Sequence, residues 1–392
     1  MDELAYALIT PYSILKSRTG GIIGRLIAHA RLSLVGVRMM VFSDEFLDAY
    51  VEAASSDEMT GEMTEAWKRY VNENLRRSNH WGFVPRCMLL VFRGPDAVRH
   101  LKDDVIGSFT ETIVGDTIRG TYGDLIRDAE GRIRHFEPAV MTAPTAPLNI
   151  EHLKLLEKFC DTDGGILTGR CQYPPGSNVE ACLVILKPDN FERPTRRPGN
   201  IIDVFSRTGL RIVATQLISM TVAQAEEFYG PLKELFLTRL RPNLTQEIYA
   251  RLQSAFTFPF TMVDAERVAD FLAARNATAE FNRIVEYMTG VNPEEITEPE
   301  LKKTASRTRC LAMVYEGPDA ISRIRQQLGS TDPTKAEPTT VRSEFGRDLM
   351  RNGAHASDSP ASARREREVV GLWAEAGESD VKTILSEYLQ GR

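Results

Sequence analysis

The apolar positions of this chain fall into short unbroken runs and, between them, into spacings of three and four residues. Ala5–Ile9 is one such run, closed by Thr10-Pro11, and Ala181–Leu186 is another, closed by Lys187-Pro188. Runs of this length ending in a turn signal predict apolar strands. Each is followed by a turn and helix, then a β-branched strand (Leu32–Phe42; Leu210–Met220). Helices and a third strand come next (Cys87–Phe92; Cys310–Tyr315). After Gly317-Pro318-Asp319, the positions Ala320, Ile321, Ile324 and Leu328 recur at helical spacing, which predicts a helix with one apolar face.

The same pattern occurs twice because the chain repeats itself. Arg86–Val98 returns as Arg309–Ile321 at an offset of 223, and Thr117-Ile118-Arg119 returns as Thr340-Val341-Arg342 at the same offset. Upstream, Ala7–Pro11 matches Val184–Pro188, and Leu34-Val35-Gly36 matches Ile212-Val213-Ala214. The order is kept, so a whole domain is duplicated rather than a short solenoid unit. Strands and helices alternating in this way predict an α+β fold, with helices packed on a small antiparallel sheet. Asp161–Gly165 and Pro174-Pro175-Gly176 mark the boundary. The expected organisation is a first domain over 1–150, a linker over 151–177 and a second domain over 178–392. Val381–Leu389 has helical spacing and is expected to pack on its own domain or on its neighbour.

Composition narrows the partners. A net charge of −6 over 392 residues gives no basic stripe for nucleic acid. No apolar run approaches the ~20 residues of a membrane span, and Met1-Asp2-Glu3 is acidic where a secretory signal is basic. Five cysteines without a pairing pattern are expected to be free thiols of a cytoplasmic protein. Cys160 and Cys171 could form half of a metal site, but no second pair completes it.

Candidate chemistry gathers late in the chain. His355 follows Asn352-Gly353-Ala354 and precedes Ala356-Ser357-Asp358-Ser359. A neutral imidazole is a good nucleophile near pH 7. Lys187, at a strand end, is placed to present an ammonium to phosphate, and Arg325 and Arg342 are forks that match phosphate oxygens. With Thr331 these could clamp a polyphosphate; no P-loop is present.

These residues resemble nucleoside diphosphate kinase. Asn352 through Ser359 matches that family's histidine signature, Lys187-Pro188-Asp189 its Lys-Pro-Asp, and Arg325 to His355 agrees in spacing without a gap. The resemblance implies two ferredoxin-like domains, each an antiparallel four-stranded sheet with helices. It implies that His355 carries phosphate by a ping-pong route from a nucleoside triphosphate to a nucleoside diphosphate. Lys187, Arg325, Thr331, Arg342 and Asn352 would hold phosphates and ribose, with Tyr229 beside the histidine. Mg²⁺ would bridge the phosphates with few or no protein ligands. Ser357 and a glutamate would orient the imidazole; counting from Ser362-Ala363 gives Glu366, counting back from Gly371 gives Glu368. The family assembles from dimers, so the tandem chain is expected to form an intrachain pseudo-dimer, and a homo-oligomer of it is possible.

Two departures stand out. In the first copy Thr10-Pro11-Tyr12 replaces Lys-Pro-Asp, Ala139–Pro144 puts Thr142 at the nucleophile position, and Asp103 falls near the place of Arg325, while Arg119 survives. That copy is expected to be inactive. In the second, a helical insertion near 238–307, with helices over Gln246–Ala255 and Val263–Asn276, lies where the family covers its nucleotide. The stacking aromatic is then Phe236, Phe281 or neither. Gly353 and Ala354, replacing larger apolar residues, would loosen the histidine strand. Alternatives to the kinase are a non-catalytic nucleotide sensor or scaffold, and a phosphohistidine relay to a protein.

Overall fold

The computed structural model describes residues 2–53, 61–79, 81–108, 115–374 and 378–390. In the first half the chain runs β1 (Asp2–Ile9), α1 (Thr19–His29), β2 (Ser33–Met40), α2 (Asp44–Ala53), α3 (Gly61–Asn74) and β3 (Cys87–Pro95). Then come a hairpin of β4 (Asp124–Arg127) and β5 (Ile133–Glu137), the short β6 (Val140–Met141) and α4 (Ala146–Phe159). The sheet order is β2-β3-β1-β6, its neighbouring strands antiparallel. β1 is central, which is why Leu4–Ile9 is apolar throughout and fully buried.

The second half repeats the plan with β7 (Val179–Leu186), α5 (Arg197–Ser206), β8 (Arg211–Ile218), α6 (Val222–Arg239), α7 (Arg241–Leu252), α8 (Met262–Thr289) and β9 (Cys310–Pro318). It ends with α9 (Ala320–Leu328), α10 (Val341–Phe345), β10 (Ala354–Ala356), α11 (Pro360–Val369) and α12 (Asp380–Gln390). Its sheet order, β8-β9-β7-β10, is that of the first. Both are ferredoxin-like α+β sandwiches. The likeness extends to backbone angles: Asp96 and Asp319, opening equivalent helices, both take left-handed φ, +48° and +51°, a conformation Asp tolerates.

The chain groups into two compact units, 2–217 with 311–390, and 218–310. The second unit is α6 to α8 with two short 3₁₀ turns. Thr221 with Gln224 and Thr261 with Asp264 form capping boxes that start α6 and α8. Ile248, Phe260, Ala265 and Ala269 form a core between α7 and α8. The insertion thus has helices where the pattern placed them, though α8 runs on to Thr289.

In the first unit the two sheets belong to one body. α1 lies on α5 in backbone contact: a Cβ on Gly199 would sit 2.1 Å from the Gly20 carbonyl and 2.5 Å from the Gly24 nitrogen, so the crossing requires glycine. The segment between domains laces both sheet edges. Gly165 N–H donates to Met39 O at 2.8 Å, Val41 N–H to Asp163 O at 2.6 Å, and Leu167 N–H to Val213 O at 2.8 Å. The helical start of the expected linker belongs to α4, whose Leu153, Leu156 and Phe159 enter the first domain's core. Val381 and Leu385 of α12 join the same core, so the C-terminal helix packs on the neighbouring domain.

Candidate active site

His355 stands in the middle of β10, opposite Ile185 of β7. Gly353 precedes it with φ +84°, and its carbonyl accepts from Lys187 N–H at 3.1 Å and Asn190 Nδ2 at 2.7 Å. The glycine therefore makes the turn that brings the strand in, and β10 is paired along its length, with Ala354 fully buried. The expected loosening by Gly353 and Ala354 is not seen.

Ser359 caps α11, accepting from Ser362 N–H. Seven residues on, α11 turns Glu366 inward, and His355 Nε2 meets Glu366 Oε2 at 2.9 Å. Ser357 donates to the same oxygen at 2.7 Å. Burial alone would raise the Glu366 carboxyl; His355, the bonds from His355 and Ser357, and Arg365 outweigh it and hold the group below the usual glutamate range. Glu368 lies on the exposed side with Arg364 at 3.1 Å. A carboxylate on Nε2 fixes the proton there and leaves the imidazole lone pair on Nδ1.

The cations sit on a connected frame. Lys187 Nζ donates to Asn352 Oδ1 at 2.8 Å and to Met350 O at 2.9 Å. Asn352, buried, donates in turn to the carbonyls of Thr331 and Leu349 at 3.1 and 3.0 Å. α10, capped by Thr340, presents Arg342, which donates to Gly329 O, Thr331 Oγ1 and Ala354 O at 3.1, 3.3 and 3.5 Å. These acceptors are neutral, so the bonds orient both cations, and Asp348 lies near enough to Lys187 to feel its charge. Arg325 lies exposed on α9. The frame thus brings together Lys187, Thr331, Arg342, Asn352, His355, Ser357 and Glu366.

The model of the nucleoside diphosphate kinase family matches residues 180–240 and 238–371. A nucleoside diphosphate kinase of Symbiobacterium thermophilum is 30% identical over 195 residues, 50% of this chain and 87% of that protein. This chain belongs to that family. A nucleoside diphosphate kinase of Methanococcus maripaludis is 30% identical over 188 residues, 48% of this chain and 95% of its own. The crystal structure of an NDP kinase from Pyrobaculum aerophilum aligns at 26% identity over 51% of this chain and 98% of its own, with a TM-score of 0.35.

Both matched pieces of the family model lie in the second half of the chain. In the first half the strand register corrects the expected equivalence of Thr142. Met141 pairs with Leu8 as His355 pairs with Ile185, so Met141 holds the nucleophile position and Thr142, bonded to Tyr6 O at 2.7 Å, matches Ala356. Two more bonds agree: Thr10 N–H donates to Ala139 O as Lys187 N–H does to Gly353 O, and Arg119 reaches Val140 O as Arg342 reaches Ala354 O. Ala139 takes φ +59° where the second domain has glycine. The residue seven after the Thr145 cap is His152, where the second domain has Glu366. Burial pushes His152 down to about 3. Asp103 does fall near the place of Arg325, but not alone. His100–Ile106 is a π-helix whose Gly107 N–H reaches Lys102 O, whereas Gly329 N–H reaches Arg325 O. One extra residue is accommodated there, so Lys102 and Asp103 share the place of Arg325.

Two expectations fall in the 218–310 unit. Tyr229 is on α6, buried, its ring 4.9 Å from that of Phe228. Phe281 is 5% exposed on α8, with Lys233 of α6 over its ring at 5.7 Å; it is core of the insertion and not a stacking platform. Phe236, on α6, is half-buried.

Proposed function

We propose that the second domain is a working nucleoside diphosphate kinase, with His355 as the group that carries phosphate. The bond from His355 Nε2 to Glu366 supports this reading most directly. With the proton held on Nε2, Nδ1 attacks the γ-phosphorus. The N–P bond forms as the bond to the β,γ-bridging oxygen breaks, and the diphosphate leaves with that electron pair. In the second half-reaction a terminal oxygen of another diphosphate takes the phosphoryl group, and the N–P electrons return to the ring.

Glu366 matches the positive charge that the ring gains on phosphorylation. Lys187, Arg325 and Arg342 offset charge on the phosphates, while Thr331 and Asn352 fix the frame. This is catalysis by positioning and charge. Mg²⁺ fits as an ion brought by the nucleotide: Lys187, Arg325 and Arg342 are cationic, the carboxylate beside His355, Glu366, is already bonded to His355 and Ser357, and among the described residues no three or more His, Cys, Asp and Glu side chains converge to cage a metal. Bound to phosphate oxygens and water, it would neutralise phosphate charge that the side chains do not reach.

The contact of α1 with α5 and the laced linker support a second part of the proposal: the domains form an intrachain pseudo-dimer in which the first is a structural partner. The insertion favours the sensor reading instead, and one experiment decides. Labelled ATP with Mg²⁺ should leave acid-labile, base-stable phosphate on the protein and none on His355→Ala, and GDP or CDP should remove it. Absence of label on the wild type overturns the kinase reading. Label that resists diphosphates but passes to another protein supports the relay.

A further inference from the structure

Glu366 meets His355 at one rotation of α11, and that helix has little apolar surface to set it. Its buried residues are Ala363, Glu366 and Arg367, with Val370 buried at its cap. A helix is ordinarily seated by an apolar stripe facing the core. Here a methyl group and two charged side chains face inward, so polar bonds must do the keying. Arg367, 3% exposed, makes them. Its Nε donates to Leu372 O at 2.9 Å, beyond the end of α11, and its Nη2 donates to Thr168 Oγ1 at 3.1 Å. The guanidinium lies over the Trp373 ring, 4.9 Å from the centroid. Leu372 N–H returns to Arg367 O at 2.8 Å, so the end of the helix is closed in both directions.

Thr168 belongs to the segment between the domains, which is held on both sides of it. Leu167 N–H is bonded to Val213 O of β8. Gly169 N–H donates to Glu316 Oε2 at 2.8 Å, and the Tyr173 hydroxyl donates to Glu316 Oε1 at 3.0 Å. Glu316 is 2% exposed on β9. Burial pushes the Arg367 guanidinium below its usual range, and the charge of Glu316 opposes this. A buried cation is costly unless it is matched, and this one is matched by the linker and by β9. Upstream, Asp163 and Gly165 tie the same segment to β2 of the first domain. We propose that Arg367 is a positioning residue for transfer at His355: it keys α11 to the interdomain segment and so sets the rotation at which Glu366 meets the imidazole. Adjacent residues share one backbone at a fixed angle of about 100° around a helix, so holding Arg367 holds Glu366. The first domain, without a phosphate frame of its own, thus supports the second domain's site through the segment it anchors. The role in transfer rests on the reading of His355 as the phosphate carrier.

Two readouts on the full chain test this. Nitrogen NMR of labelled histidine, with the His355 signal identified by its loss in His355→Ala, reports where the ring proton sits. It should sit on Nε2 in the wild type. It should be shared between the nitrogens in Arg367→Met, which keeps length but loses the fork, and in Thr168→Val, which keeps shape but loses the acceptor. Single-turnover transfer from ATP, quenched in base, should slow about fivefold or more in Arg367→Met and about twofold or more in Thr168→Val. The half-saturating ATP concentration should not change. With Glu366→Ala there is no carboxylate to place, so adding Arg367→Met should slow transfer no further. Thr168→Val carries both readouts should Arg367→Met not fold. An unchanged tautomer, losses from Glu366→Ala and Arg367→Met that multiply, or a raised half-saturating ATP concentration at an unchanged maximal rate would each overturn the proposal. A wild type that takes no phosphate overturns the kinase reading instead, and the tautomer comparison then decides the positioning by itself.

Discussion

Replacing Glu366 by glutamine is the sharpest perturbation of the His355 site. Both His355 and Ser357 direct donors at one buried carboxylate oxygen, at 2.9 and 2.7 Å. A neutral amide oxygen keeps the shape but loses the charge that matches a phosphorylated ring. Hydrogen bonds to charged groups are worth about 1.5–3 kcal/mol net. Losing the one to His355 should therefore slow phosphorylation roughly 10- to 150-fold. Ser357→Ala removes a second bond to the same charged oxygen, also worth about 1.5–3 kcal/mol, but leaves the carboxylate in place for His355, so phosphorylation should slow less than in Glu366→Gln. The assay is single-turnover transfer from ATP, quenched in base to preserve the phosphohistidine. The Glu366 carboxyl is held below the usual range when folded. Its stabilising contribution is present above the ordinary glutamate value and is lost as pH falls through the depressed one. Wild type and Glu366→Gln should thus differ in stability near neutrality and converge under acid conditions. A Glu366→Gln enzyme within twofold of the wild-type rate would refute the orienting role.

Installing the nucleophile alone in the first domain should fail: Met141→His in a His355→Ala background should take no label, because His152 and Thr10 stand where Glu366 and Lys187 would be needed, and any label would contradict this. Gly199→Ala forces a Cβ to 2.1 Å from the Gly20 carbonyl and should cost about 1–3 kcal/mol or more in urea unfolding; an unchanged melt would refute the backbone contact. Burial raises the Glu137 carboxyl from 4.5 to about 7, so its folded form holds a proton that the unfolded chain releases. Stability linked to it is present below the ordinary glutamate value and lost as pH rises towards 7. Glu137→Gln, whose oxygen can still accept from Thr10 and Ala139, should gain up to about 3 kcal/mol over wild type at pH 8 and much less at pH 5; a pH-independent difference would refute the raised carboxyl.

The second domain's site was legible because its residues lie in local runs. Lys187 ends a strand, and Asn352 to Ser359 keeps one register from turn to helix cap. The choice between Glu366 and Glu368 was not local: it depends on which face of α11 turns to β10, and a two-residue difference reverses that. The first domain misled by one residue at the nucleophile position. Without a glycine at Ala139 the turn before β6 has no sequence marker, and only strand pairing shows that Met141 lies opposite Leu8. The π-helix at His100–Ile106 takes up an added residue that no composition signal betrays. The choice among Phe236, Phe281 or neither stayed open in the sequence because spacing alone does not tell which helix will cover Phe281.

The segment from Asp163 to Leu167 has a consequence beyond joining two domains. β2 and β8 are both outer strands of open sheets, and an outer strand with unmatched amides and carbonyls is a template for any extended chain it meets. The main-chain groups of Met39, Val41 and Val213 are already engaged by that segment. The linker is therefore also a guard, occupying from within the edges through which sheets of separate molecules would otherwise grow together.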